Sequence, residues 1–199
     1  MEKTRHYQIQ IKLIQILRKY IQEPILDLAC GTGRILLELS KDFGDLSGND
    51  LSLEMIKIAK TNLPEGTFMN EEAQELPFHQ KRYNTLICCN LLFYLSEPQK
   101  ALQKWKEFLT SNGTLIIIEE YPFVFPKESS FNKEFRSEQI VKPLTPTRII
   151  TLLNKSGWKL MKMEKMKIDQ KHSLYAMVCI PKALSGEEEI WLLEHGEIT

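Results

Sequence analysis

The feature that most restricts this chain is the run Ile25-Leu26-Asp27-Leu28-Ala29-Cys30-Gly31-Thr32-Gly33-Arg34. Its first half, apolar except for one acid, suits a strand buried on both faces, as strands of parallel sheets are. The glycines then turn the chain into Arg34 to Lys41, which is apolar at Ile35, Leu36, Leu37 and Leu39 and reads as a helix. A buried strand entering a glycine turn and a helix opens an α/β sheet, whose ligands bind at the carboxyl ends of strands where strand order reverses. Glycine lets backbone approach a ligand closely, and free N–H groups at a helix start attract anionic or polar groups.

The alternation extends along the chain. Residues 7–21 place Ile9, Leu13, Ile16, Leu17 and Tyr20 at helical spacing, which predicts an amphipathic opening helix ended by Pro24. Leu46 to Asp50 is a second strand, Leu53 to Lys60 a helix with Ser52 as its N-cap, and Thr67 to Met69 a third strand. Then come a strand from Asn84 to Cys89, a helix from Glu97 to Leu109, a turn at Asn112-Gly113 and a strand from Thr114 to Glu119. Short strands interleaved with helices imply a parallel sheet covered on both faces and joined by right-handed crossovers. The period is lost over Tyr121 to Pro143, a segment long enough to be a lid or binding loop. It resumes with a helix from Thr147 to Lys155 and strands from Trp158 to Ile168 and Ser173 to Ile180, before an acidic tail from Glu187 to Thr199.

Charge and cysteine usage exclude several classes. The 26 Lys and Arg balance 26 Asp and Glu, so nothing draws the whole molecule to nucleic acid or an anionic membrane. The longest mostly apolar stretch, Leu86 to Leu95, is too short to span a bilayer, and the N-terminus lacks an apolar signal core. Cys30, Cys88, Cys89 and Cys179 contain no C-x-x-C pair and read as reduced core thiols of a cytoplasmic protein. No two histidines stand at a metal-binding spacing such as H-E-x-x-H, so no metal is expected.

The ligand follows from the glycine turn and the acids around it. A dinucleotide fingerprint needs a third small residue where Leu36 stands, and Asp27 would repel a pyrophosphate but suits a cationic group. The second strand ends in Asn49-Asp50, about 20 residues on, where a carboxylate can accept hydrogen bonds from both hydroxyls of a ribose. The residues ask for adenosine together with positive charge.

Ile25 to Gly33 resembles motif I, D/E-x-G-x-G-x-G, of the class I S-adenosylmethionine-dependent methyltransferases, with Ala29 at the first glycine. Leu46 to Met55 is similar to that family's ribose-binding strand end, and Glu72 to Phe78 to its adenine-side D-A-x-x-L-P-F, with Glu72 in place of Asp. Tyr83 to Tyr94 and Ala101 to Glu119 are similar to its fourth strand through its fifth. The resemblance implies a Rossmann-like methyltransferase fold: a seven-stranded mixed sheet, order 3-2-1-4-5-7-6, with helices on both faces. It implies a single methyltransferase domain, comprising N-terminal helix 1–23, cofactor-binding core 24–120, substrate flap 121–146, closing helix and hairpin 147–183, and tail 184–199. The implied cofactor is S-adenosylmethionine, with S-adenosylhomocysteine as product. Asp27 would orient the methionine amino group, with Ala29, Gly31, Thr32 and Gly33 along it. Asp50 would hold the ribose, Leu51 and Met55 would pack on adenine with Glu72 and Ala73 at its edge, and Asn90 and Leu91 would flank the methionine part.

Methyl transfer needs a base only when the acceptor must shed a proton. His172 is the candidate, since a last strand antiparallel to the rest puts the loop before it at the ligand edge. Tyr7, Tyr94, Tyr121, Arg136 and Tyr175 are candidate acceptor contacts, and His6 sits on the opening helix that would fold over the cofactor mouth. The expected acceptor is a small molecule methylated on oxygen, nitrogen or carbon. DNA is disfavoured because Asn90-Leu91-Leu92-Phe93-Tyr94 stands where N/D-P-P-Y/F would be, while tRNA, the acceptor's identity and the oligomeric state stay open. The rival readings are a cofactor-binding regulator or scaffold without turnover and an NAD(P)-dependent oxidoreductase.

Overall fold

The computed structural model describes residues 2–74, 76, 82–122 and 144–182. The predictions placed on Phe123 to Pro143 (Arg136 among them), on Glu75, Pro77 and Phe78, and on the tail lie outside these residues. Seven strands form one sheet in the order β3-β2-β1-β4-β5-β7-β6. β1 (Ile25–Leu28) lies between β2 (Leu46–Asn49) and β4 (Tyr83–Cys89), and β3 (Thr67–Met69) flanks β2, all parallel. β5 (Leu109–Tyr121) continues the parallel order, whereas β7 (Ser173–Pro181) runs antiparallel to it and pairs with β6 (Trp158–Lys167). Strand order reverses between β1 and β4, and that is where an open sheet offers its ligand crevice.

Each sheet face carries its own core, and alternate residues of one strand serve opposite faces. Ile25, Ile87, Ile116 and Ile118 join the core under α1 (Glu2–Ile16), α2 (Arg34–Leu39) and α3 (Leu53–Asn62). Leu26, Leu86, Leu115 and Ile117 join the core under α4 (Pro98–Trp105) and α5 (Pro146–Lys155). Two tryptophans buried in this second core find acceptors for their indole N–H groups: Trp105 donates to the Ala73 carbonyl and Trp158 to the Leu102 carbonyl, each at 2.8 Å.

Two local expectations change. The apolar stripe of α1 runs through Leu13, Ile14 and Leu17, while Ile16 is 45% exposed; the helix ends at Ile16, and a 3-10 turn over Arg18–Tyr20 leads on. Asn112-Gly113 is not a turn. β5 begins at Leu109, and its register against β4 jumps from Tyr83↔Leu109 to Thr85↔Thr114, so the dipeptide forms a bulge inside the strand. A β-carbon at Gly113 would stand 2.7 Å from Leu109 Cδ2 and 3.1 Å from the Tyr83 carbonyl oxygen, so a side chain there would have to displace Leu109.

Candidate cofactor and acceptor site

The site is assembled at the carboxyl ends of β1, β2 and β4. After Leu28 the chain enters left-handed backbone at Ala29 (φ 55°), Gly31 (φ 54°) and Gly33 (φ 72°), and Gly33 caps α2. Ala29 occupies a conformation that costs an L-residue roughly 1–2 kcal/mol. A β-carbon added at Gly31 would meet nothing within 4 Å, so the turn faces open space. At Gly48 in β2 it would press to 2.7 Å on the Cys30 sulfur, because the turn packs directly on β2 and the Cys30 N–H donates to the Asn49 carbonyl at 2.8 Å.

Asp27 is buried at the centre of this end of the sheet, paired in register with Gly48 and Ile87. Burial, and then the charge of Asp50, push its carboxyl up to about 8. Asp50 ties the two loops together: Oδ2 accepts the Gly31 N–H at 2.8 Å and Oδ1 the Ser52 N–H at 2.9 Å. Beyond it Leu51 is 62% exposed and Met55 39%, an uncovered apolar surface beside a carboxylate. Glu72 is exposed, while Ala73 and Leu91 are buried.

A ligand with a cationic amino group, a ribose and a flat base fits these residues. Asp27 is a buried acid whose carboxyl burial and Asp50 push up, the Gly31 backbone leaves room, and Leu51 and Met55 lie open. S-Adenosylmethionine has all three parts.

The acceptor-side residues divide between the sheet faces. Tyr7 travels with α1, and its hydroxyl reaches the Arg34 carbonyl at 3.5 Å. Tyr94 is half-buried beside Phe93, with ring centroids 4.8 Å apart. Tyr175 packs with the core on the opposite face from α1 and pairs in register with Glu119. Tyr121 pairs with Ser173 at the end of β5, which brings the Asp169–His172 loop to the expected edge. There His172 Nδ1 lies 2.7 Å from Asp169 Oδ2. That hydrogen bond, with the His172 and Lys171 N–H groups, draws the Asp169 carboxyl down to about 2.

Two residues carry more than the sequence suggested. Glu119 is buried, and its Oε1 accepts the N–H groups of Leu91 and Leu92 at 3.0 and 2.8 Å, fixing the loop after β4. His6 reaches both Asn90 and Glu120. The sequence signal was the acid pair Glu119-Glu120 at the end of β5, opposite an apolar loop with unpaired backbone donors.

Residues 25–113 match the family described as a methyltransferase domain, and the sheet order is the one that the resemblance implied. Over those residues, a little under half of its length, the chain is similar to that family. Among curated relatives, the demethylmenaquinone methyltransferase of Thermotoga maritima is 27% identical over 113 residues, which cover 56% of this chain and 49% of that protein. The chain thus spans about half the length of the curated relatives it matches. Among solved structures, the 4+2 cyclase SpnF superimposes with a TM-score of 0.70 at 13% identity, over 88% of this chain and 83% of that one. The S-adenosylmethionine complex of magnesium protoporphyrin IX methyltransferase from Synechocystis gives 0.63 at 17% identity, over 92% and 79%. No helix among the described residues of the domain is long and apolar enough to cross a membrane.

Proposed function

We propose that the domain transfers a methyl group from S-adenosylmethionine to an oxygen, nitrogen or carbon atom of a small molecule. The carrying observation is the pair Asp27 and Asp50, a buried acid raised by burial and by its neighbour's charge, and a second acid clamped at the neighbouring strand end. When bound, the cofactor supplies a sulfonium-activated methyl group. In this reading Asp27 holds the methionine ammonium, and Ala29, Gly31, Thr32 and Gly33 line it with backbone. Asp50 takes the ribose, Leu51 and Met55 take the adenine face with Glu72 and Ala73 at its edge, and Asn90 and Leu91 flank the reacting end. Tyr7, Tyr94, Tyr121 and Tyr175 are the described candidates for the acceptor pocket. The ring substrates named for the quinone and porphyrin methyltransferase relatives support a small molecule as acceptor.

Calorimetric titration with S-adenosylhomocysteine and NADH tests the reading. S-Adenosylhomocysteine is expected to bind and NADH not to, and Asp50→Ala should weaken the former at least about tenfold, some 1.4 kcal/mol. Binding of NADH alone would replace this reading with the oxidoreductase. Binding without product formation on any acceptor would favour the regulator. His172, oriented by Asp169, is the hairpin's candidate proton acceptor; a loss of turnover in His172→Ala with unchanged S-adenosylhomocysteine affinity would assign it that role.

A further inference from the structure

A second imidazole lies deeper in the same site. His6, on α1, is three-quarters shielded and stands over the carboxyl ends of β4 and β5, with Nε2 3.2 Å from Asn90 Nδ2 and Nδ1 3.5 Å from Glu120 Oε2. The tautomer follows from the neighbours. Asn90 Oδ1 accepts the Glu120 N–H at 3.3 Å, so the amide presents its NH2 to the ring. The ring nitrogen facing that NH2 must accept, which leaves the proton on Nδ1, directed at the Glu120 carboxylate. Asn90 is itself fixed in left-handed backbone, φ 52°, the kind of outlier that functional sites retain.

Resting on the methyltransferase reading, we infer that His6 is the side chain that takes the acceptor's proton, with Glu120 as its positioning residue, and that the acceptor is of the class that sheds a proton on methylation. The acceptor atom enters in place of the Asn90 amide at Nε2. Its bond to hydrogen breaks, its electron pair forms the bond to the methyl carbon, the carbon–sulfur pair remains on sulfur, and the proton goes to Nε2. The resulting imidazolium is balanced by Glu120 and returns the proton to solvent. Burial lowers the His6 pKa, the direction that favours the unprotonated ring a base must offer. Among the described residues its charged partner is Glu120 from β5, and Asn90, which follows β4, is uncharged. His172 enters from the loop before β7, and β5 separates β7 from β4. It is therefore about two strand spacings, roughly 10 Å, from the strand that carries Asn90.

The test is 15N NMR of histidine-labelled protein, with the His6 signals assigned by His6→Gln, alongside calorimetry with S-adenosylhomocysteine. The expected result is an Nδ1–H tautomer that titrates below a free histidine and moves when S-adenosylhomocysteine binds. With reduced demethylnaphthoquinone as probe acceptor, His6→Gln should lower kcat at least about tenfold and abolish the acidic limb of the pH profile, while leaving S-adenosylhomocysteine affinity within about twofold. An Nε2–H tautomer, or His6 signals unmoved by bound S-adenosylhomocysteine, would overturn the inference and leave the methyltransferase reading standing. So would a rate lost in His172→Ala but kept in His6→Gln. Failure of S-adenosylhomocysteine to bind the wild type would overturn both.

Discussion

S-Adenosylhomocysteine is expected to bind roughly fiftyfold more tightly at pH 8 than at pH 6, and Asp27→Asn is expected to erase most of that difference. In the free domain burial and Asp50 raise the Asp27 carboxyl to about 8. At pH 6 about one molecule in a hundred has this group ionised, and at pH 8 about one in two. A ligand whose ammonium pairs with the ionised form must first release the proton, so affinity rises with pH until the carboxyl is ionised in the free protein. It then falls where the ligand's own amino group loses its proton. Calorimetry in buffers of different ionisation enthalpy measures the release directly, and close to one proton per ligand should leave at pH 6. A flat affinity between pH 6 and 8, with no proton released, would show that Asp27 does not meet the ammonium. Asp27→Asn keeps the shape and removes the charge, so it should bind as weakly at pH 8 as the wild type does at pH 6.

The sheet was legible because its signals are local. Ile25 to Leu28 and Tyr83 to Cys89 are short apolar runs suited to burial, and each ends in a turn that a short sequence window reveals. Ser52 is a cap that its own neighbourhood announces, and its hydroxyl accepts the Met55 N–H at 3.4 Å. Asn112-Gly113 misled because a turn and a bulge have the same local composition; only the register with β4 separates them. Ile16 lost its place in the core because the exit of α1 is set by how Leu13, Ile14 and Leu17 dock on the sheet, which no helical wheel contains. The cofactor half of the candidate site lies within such windows. The His6–Asn90 contact joins residues 84 apart, and Glu119 is partnered by backbone 27 and 28 positions away. The acid pair Glu119-Glu120 marks one side of these contacts, but no local pattern names the partners; both follow from α1 and β5 converging on the end of β4.

Glu119→Ala is expected to destabilise the domain by about 2–5 kcal/mol, the largest stability loss anticipated for a single change at the site. The carboxylate satisfies two buried N–H donors, Leu91 at 3.0 Å and Leu92 at 2.8 Å, and truncation leaves both with nothing to meet. Each such orphan costs roughly 1–3 kcal/mol. Its other oxygen, Oε2, is buried without a hydrogen-bond partner among the described residues, and burial raises the group to about 8 against the opposing pull of those two N–H groups. The folded protein therefore keeps a proton here that the unfolded chain loses near pH 4.5, and one at Asp27 that the unfolded chain loses near pH 3.8. The native state binds more protons across that window, so stability falls as pH rises from about 4.5 to 8, by about 1.4 kcal/mol per unit for each group. Glu119→Gln copies the protonated acid, keeps one oxygen for both donors and should flatten half of the slope. Saturating S-adenosylhomocysteine should flatten the other half by giving Asp27 its cation. Urea unfolding at pH 5, 6.5 and 8 measures all three slopes. An Ala variant within 1 kcal/mol of wild type, or a Gln variant with the wild-type slope, would mean that Glu119 is ionised in the native state and that some other contact holds the loop after β4.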